Sequence, residues 1–179
     1  MERVRLATTW FGGCSGCHMS FLDLDEWIVD LVAKVDYVYG PLVDTKEYPE
    51  NVDLALIEGA VCNAEHLELA HRIRRRTRIV VAFGDCAVTT NVVGMRNALG
   101  GPEVVLKRAY LELADANPGI PVASDIVPPL LERALPLHQV IPVDHFLPGC
   151  PPCPERIRAL LESLLGNASP PTGRLLKFG

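Results

Sequence analysis

The chain has 179 residues and a net charge of −5. That length favours one domain with a sizeable core, and that charge argues against general nucleic-acid binding. Hydrophobic residues make up 49%, mean hydropathy is +0.19, and yet no apolar run approaches the ~18–20 residues of a membrane span. Either a sheet is buried on both faces or a partner covers part of the surface.

Val4 to Thr9 reads as a first strand, followed by the loop Gly12-Gly13-Cys14-Ser15-Gly16-Cys17. Met19 to Lys34 places Phe21, Leu24, Ile28 and Leu31 at helical spacing. Val35 to Tyr39 is a second strand stopped by Gly40-Pro41, and Val52 to Ile57 a third ending at Glu58-Gly59. A helix follows from about Asn63 to Arg75. Its basic end, His71 to Arg78, is expected to be a solvated last turn in which cations complement the helix dipole, with a partner-subunit contact as the alternative. Arg78 to Phe83 is an apolar run suited to a strand buried on both faces. A helix is expected over Val88 to Leu99. Gly100 to Pro136 reads as a proline-rich insertion with short helices, one near Val127 to Ala134. Val140 to Val143 is expected to be the last strand. Pro154 to Leu165 is the last helix, with proline in its first turn. Residues 167–179 read as a tail that needs a partner to order. Alternating strands and helices predict a three-layer α/β fold with a mostly parallel sheet over residues 1–166.

Cys14, Cys17, Cys86 and Cys150 each follow a predicted strand end. A parallel sheet gathers such ends at one edge, so distant turns meet there. Soft thiolates in fours suit an iron–sulfur cluster or zinc. Cys150-Pro151-Pro152-Cys153 is a second Cys-x-x-Cys, so zinc on Cys14, Cys17, Cys150 and Cys153 is a rival. A redox dithiol at Cys150 and Cys153, ahead of a helix N-terminus, is another. Neither rival uses Cys86.

Cys14-Ser15-Gly16-Cys17, Glu58-Gly59, Gly84-Asp85-Cys86-Ala87 and Pro148-Gly149-Cys150-Pro151-Pro152, in that order, resemble the small subunit of [NiFe] hydrogenases. The related electron-transfer subunit of respiratory complex I shares this plan, but with adjacent cysteines in its first motif. The resemblance implies a flavodoxin-like domain holding one [4Fe-4S] cluster on Cys14, Cys17, Cys86 and Cys150. It also implies a partner large subunit with the nickel–iron site. No cysteine follows Cys153, so only the proximal cluster is expected and electrons must leave to another protein. With Cys17-His18-Met19-Ser20 and no leader ahead of the first motif, the chain is most similar to the soluble, cytoplasmic, NAD(P)-linked bidirectional type. That group relies on a diaphorase module of iron–sulfur and flavin subunits. The implied role is a non-catalytic electron-transfer subunit of a hydrogen:NAD+ oxidoreductase complex.

Several residues carry two readings. Glu58 is either a carboxylate beside the cluster, relaying protons or meeting the large subunit, or a strand-end residue satisfying a loop backbone. His18 either bonds the cluster or begins the helix, and the second is preferred because it falls in a first turn. Asp85 is a loop cap or a group behind the ligands. His145 lines an interface or is an ordinary histidine. Met19 and Phe21 are expected to pack the helix, and Cys62 to be a buried structural thiol. The glycines near Cys14 offer a place for a flavin phosphate, as flavodoxin-like folds do at this edge, but with a cluster there the reading without flavin is preferred.

Overall fold

The computed structural model describes residues 3–123 and 126–166. The predicted tail 167–179 lies outside them. Five parallel strands form the central sheet: β1 (Val4–Trp10), β2 (Val35–Tyr39), β3 (Val52–Glu58), β5 (Thr77–Phe83) and β7 (His145–Leu147). A short pair, β4 (Val61–Asn63) and β6 (Leu130–Leu135), is antiparallel. The main sheet has the order β2-β1-β3-β5-β7. This is the flavodoxin-like order, in which the chain reverses direction across the sheet beside β1.

Alternation along the strands builds two cores. Leu6, Leu54, Leu56, Val81 and Phe83 face one side. There they meet α1 (Gly16–Leu22), α2 (Trp27–Val32) and α6 (Pro154–Gly166) through Phe21, Trp27, Leu31, Ile157 and Leu160. Ala7, Ala55, Ile57, Val80 and Ala82 face the other side, against Ala70 and Ile73 of α3 (Ala64–Arg76). The three-layer α/β expectation is therefore met, and the high apolar content follows from a sheet covered on both faces.

The basic run has a structural use. Arg74 donates to the carbonyls of Thr77, Arg78 and Pro142 and to Asp144. Arg76 pairs with Glu50 and donates to the Tyr48 carbonyl. Asn63 caps α3 by accepting from the His66 amide at 2.7 Å.

Four predicted elements need correction. The helix over Met19 to Lys34 is two helices, starting at Gly16 and broken after Leu22. Asp25 is left-handed there (φ 50°), and the amides of Leu24 and Asp25 bond three residues back. The helix over Val88 to Leu99 is instead α4 (Asp85–Thr89) and a 3₁₀ segment Asn91–Leu99, with a sharp corner between them. Val127 to Ala134 is no helix. Its second half is strand β6, held by the Asn97 amide on both backbone groups of Ala134 and by Arg96 on the Leu131 and Glu132 carbonyls. The last strand lies at His145–Leu147, after Val140 to Val143. Val140 and Ile141 bond back into the 3₁₀ turn at Leu137, and Pro142 has no N–H for a ladder. The insertion does contain a short helix, α5 (Pro102–Lys107), continued by a π turn over Arg108–Glu112.

Candidate functional site

The C-terminal edge of the sheet collects the loops after β1, β3, β5 and β7. Their side chains tie them to one another. Asp85 Oδ1 accepts from the Gly149 amide at 2.7 Å while the Asp85 amide donates to the Gly149 carbonyl at 2.9 Å. This clamp fixes the Cys86 turn against the Cys150 turn. Ser20 Oγ, buried, donates to the Pro152 carbonyl at 2.6 Å and fixes α1 to the same turn. Gly84 has φ 83°, and a Cβ on it would overlap Cys17 Sγ. Only glycine leaves Cys17 its place there.

The same edge carries Cys14, Cys17, Cys86 and Cys150, and these constraints fix the turns of the last three. Cys17 and Cys86 are buried, and Cys14 and Cys150 are exposed. Burial pushes the Cys17 thiol far up, and the charges of Glu58, Cys86, Cys14 and Cys150 push it further. Burial likewise raises Cys86, followed by Cys14, Cys150, Glu58 and Asp85. Cys14, Cys86 and Cys150 thus all lie close enough to act on the buried Cys17 thiol. Such a set fits a positively charged group that bridges soft ligands. Cys153 is exposed and does not act on Cys17 or Cys86. Its thiol bonds Glu155 and helps hold that carboxyl below its ordinary value. Among the described residues, no group of three or more His, Cys, Asp or Glu side chains is placed to hold a metal ion as it stands.

Glu58 is 2% exposed. Its Oε2 accepts from the His18 backbone N–H at 3.0 Å and lies 2.5 Å from His18 Nδ1. His18 Nε2 lies 2.9 Å from Thr8 Oγ1, which lies 2.6 Å from the Tyr37 hydroxyl. His18 lies in the first turn of α1, as preferred, and its ring has a further use: it is buried, edge-on to Trp10, and bonded at both nitrogens. Glu58 satisfies a loop backbone group, as its second reading expects, and its charge also raises the Cys17 thiol. The sequence holds no local signal for this pairing, because the partners are forty residues apart.

Other expectations resolve in the same geometry. Phe21 is core, but Met19 is 63% exposed and packs no helix interior. Cys62 is half-buried, with its sulfur 3.4 Å from His66 Nδ1, and burial raises its thiol. His145 pairs with Val81 in the edge strand. The Gly12 amide donates to the Ala60 carbonyl at 2.9 Å, and the Ala60 amide donates back at 2.7 Å. That leaves the Gly12 N–H no role in holding a phosphate. A cavity of about 470 Å³ opens next to this bridge, lined by Trp10, Tyr39, Gly40, Glu65 and His66. Trp10, Met19, Leu22, Val92 and Met95 are large apolar side chains exposed on the elements that carry the site.

Residues 14–164 match the family described as NADH ubiquinone oxidoreductase, 20 Kd subunit. A subunit of the F420-non-reducing hydrogenase of Methanothermobacter thermautotrophicus is 39% identical over 89% of this chain, which spans 54% of that protein. The delta subunit of the NAD-reducing hydrogenase HoxS of Cupriavidus necator is 35% identical over 92% of this chain and 80% of its own length. A crystal structure of NAD+-reducing [NiFe]-hydrogenase in the H2-reduced state contains a chain 38% identical to this one. The two superpose with a TM-score of 0.92 over 98% of each. A [NiFeSe]-hydrogenase chain at 17% identity and a TM-score of 0.58 shares the fold.

Proposed function

The chain belongs to the NADH ubiquinone oxidoreductase 20 Kd subunit family, and on that premise we propose that it is the electron-transfer small subunit of a [NiFe] hydrogenase complex. In this reading Cys14, Cys17, Cys86 and Cys150 hold one [4Fe-4S] cluster. The cluster supplies one-electron storage between the nickel–iron site of a large subunit and a diaphorase carrying flavin and NAD(P). The observation that carries the reading is that the loops after β1, β5 and β7 meet at one edge, tied by the Asp85–Gly149 and Ser20–Pro152 bonds, with Cys14, Cys86 and Cys150 all acting on the buried Cys17 thiol and Cys153 not. Family membership favours the cluster set over the zinc set and over the Cys150–Cys153 dithiol.

The residues around the thiols have separable tasks. The Asp85–Gly149 clamp and the Ser20–Pro152 bond hold the three loops at fixed spacing. Gly84 leaves room for the Cys17 sulfur. Glu58 neutralises buried donors on His18 and keeps a carboxylate close behind Cys17, where it holds or moves a proton at Oε2. The apolar rim of Trp10, Met19, Leu22, Val92 and Met95 suits a large subunit that covers the site and excludes water. Coverage of almost all of a chain from an NAD+-reducing hydrogenase supports NAD(P) as the final acceptor. Relatives at 37–39% identity that are named as parts of F420-non-reducing hydrogenases support a second reading, the same subunit serving another acceptor.

The test is a serine series on the complex purified without oxygen. Replacing Cys14, Cys17, Cys86 or Cys150 should each remove most iron and acid-labile sulfide and abolish H2-dependent dye reduction. Cys62→Ser and Cys153→Ser should keep most iron. Iron lost with Cys153→Ser but kept with Cys86→Ser would return the paired Cys-x-x-Cys assignment. H2-dependent reduction of NAD+, compared with NADP+ and with other carriers, separates the two acceptor readings.

A further inference from the structure

We propose that Asn91 sets the reduction potential at the four-thiol site by donating its side-chain N–H to the sulfur of Cys150. The inference rests on the reading of Cys14, Cys17, Cys86 and Cys150 as cluster ligands. Asn91 Nδ2 lies 3.2 Å from Cys150 Sγ. A thiolate sulfur only accepts hydrogen bonds, so the NH2 end of the amide is the end that serves it.

The backbone that delivers this donor is unusual. Thr90 and Asn91 are consecutive non-glycine residues with φ of 69° and 40°. Asparagine tolerates the left-handed region, but β-branched threonine does so only under strain. The corner is held from both sides. Thr90 N–H ends α4 on the Cys86 carbonyl at 3.0 Å, and the Thr90 carbonyl starts the 3₁₀ segment by accepting from Val93 at 3.1 Å. Gly94 faces Thr90 Oγ1, and any Cβ at Gly94 would overlap that hydroxyl. The strained turn thus begins four residues after one proposed ligand and aims an amide at another. A helix running on from α4 would not make this turn.

Reduction adds negative charge beside Cys150. An N–H directed at its sulfur stabilises that charge, so it raises the potential. Asn91 is exposed in the chain by itself, and a covering subunit would take this bond out of water and strengthen it.

Two variants keep the backbone at home in the left-handed region. Asn91→Gly removes the donor, and Asn91→Asp keeps the shape but puts an oxygen where the N–H was. The measurement is a potentiometric titration of the reduced-state EPR signal in the purified hydrogenase complex, with iron and sulfide determined on the same sample. Both variants are expected to retain iron and to shift the midpoint to lower potential. An unchanged midpoint in Asn91→Gly at full iron content overturns the proposal. Should Asn91→Gly fail to hold iron, Asn91→Asp decides by the same criterion. A wild-type complex that contains no iron and sulfide overturns the cluster assignment instead, which is a separate failure.

Discussion

Glu58 shows how much one buried side chain decides at this edge. It accepts both the backbone and the ring N–H of His18. Glu58→Leu would leave those donors buried without a partner, a loss of roughly 1–3 kcal/mol for each unsatisfied group. Thermal unfolding should occur at lower temperature, and iron content should fall. Glu58→Gln can still accept from the His18 amide, so it should keep the iron. If H2-driven acceptor reduction by that variant is then unchanged across pH, the carboxylate holds the loop and moves no proton. Gly84→Ala is expected to be worse for metal content than either. Its methyl group would need the space of the Cys17 sulfur, and φ 83° adds strain of about 1 kcal/mol. Iron analysis of the purified complex should show most of it gone. Cys17 and Cys86 also make a pH prediction. Both thiols are raised in the fold, so above about pH 8.5 the unfolded chain releases protons that the folded chain keeps. The iron-free protein should therefore be most stable below that pH and weaken as pH rises. Denaturant unfolding between neutral and alkaline pH would show the decline, and the iron-loaded protein should lack it.

At the scale of elements, the last strand is anchored by charge as well as by its ladder. Asp144 accepts from the Val80 amide and from Arg74. Burial works against its charge, but those bonds outweigh it and hold the carboxyl below its ordinary value. The stabilisation is present at neutral pH and is lost as pH falls below about 4. Asp144→Asn should cost about 1 kcal/mol, given how exposed the pair is, and should flatten the acid limb of the stability curve. The elements that the sequence reveals are those that depend on local pattern. Val35 to Tyr39 is found to the residue between charged and glycine–proline boundaries, and β3 and β5 stand out as apolar runs. The elements it conceals depend on distant partners. β6 consists of good helix formers, Leu130-Leu131-Glu132-Arg133-Ala134, and becomes a strand because Asn97 and Arg96 take its backbone groups. The corner at Thr90 has no glycine to mark it. The four thiols are legible because each follows a strand end. The Glu58–His18–Thr8–Tyr37 chain is not, because its members come from separate segments.

On the scale of the whole molecule, Trp10, Met19, Leu22, Val92 and Met95 are exposed apolar side chains on the elements that carry the site. Met19→Glu together with Met95→Glu should leave the fold intact, since both side chains are more than 60% exposed. If that face meets the large subunit, the double variant should weaken assembly by tenfold or more, the effect of about 1.4 kcal/mol. Co-purification of the large subunit with a tagged chain is the measurement, and far-ultraviolet circular dichroism checks the fold. Unchanged recovery would move the interface elsewhere. The distribution of the four thiols over β1, β5 and β7 has a consequence in time. Cys14 and Cys17 leave the ribosome early, while Cys150 lies on the last loop before α6. At about 5–20 residues per second, the two ends of the site are separated by on the order of ten seconds of synthesis. During that interval Cys17 has neither the glycine recess nor the burial that raises its thiol in the finished fold. On the proposed cluster reading, iron delivered during translation would meet half a site, and loading would wait until the Cys150 loop has joined the others.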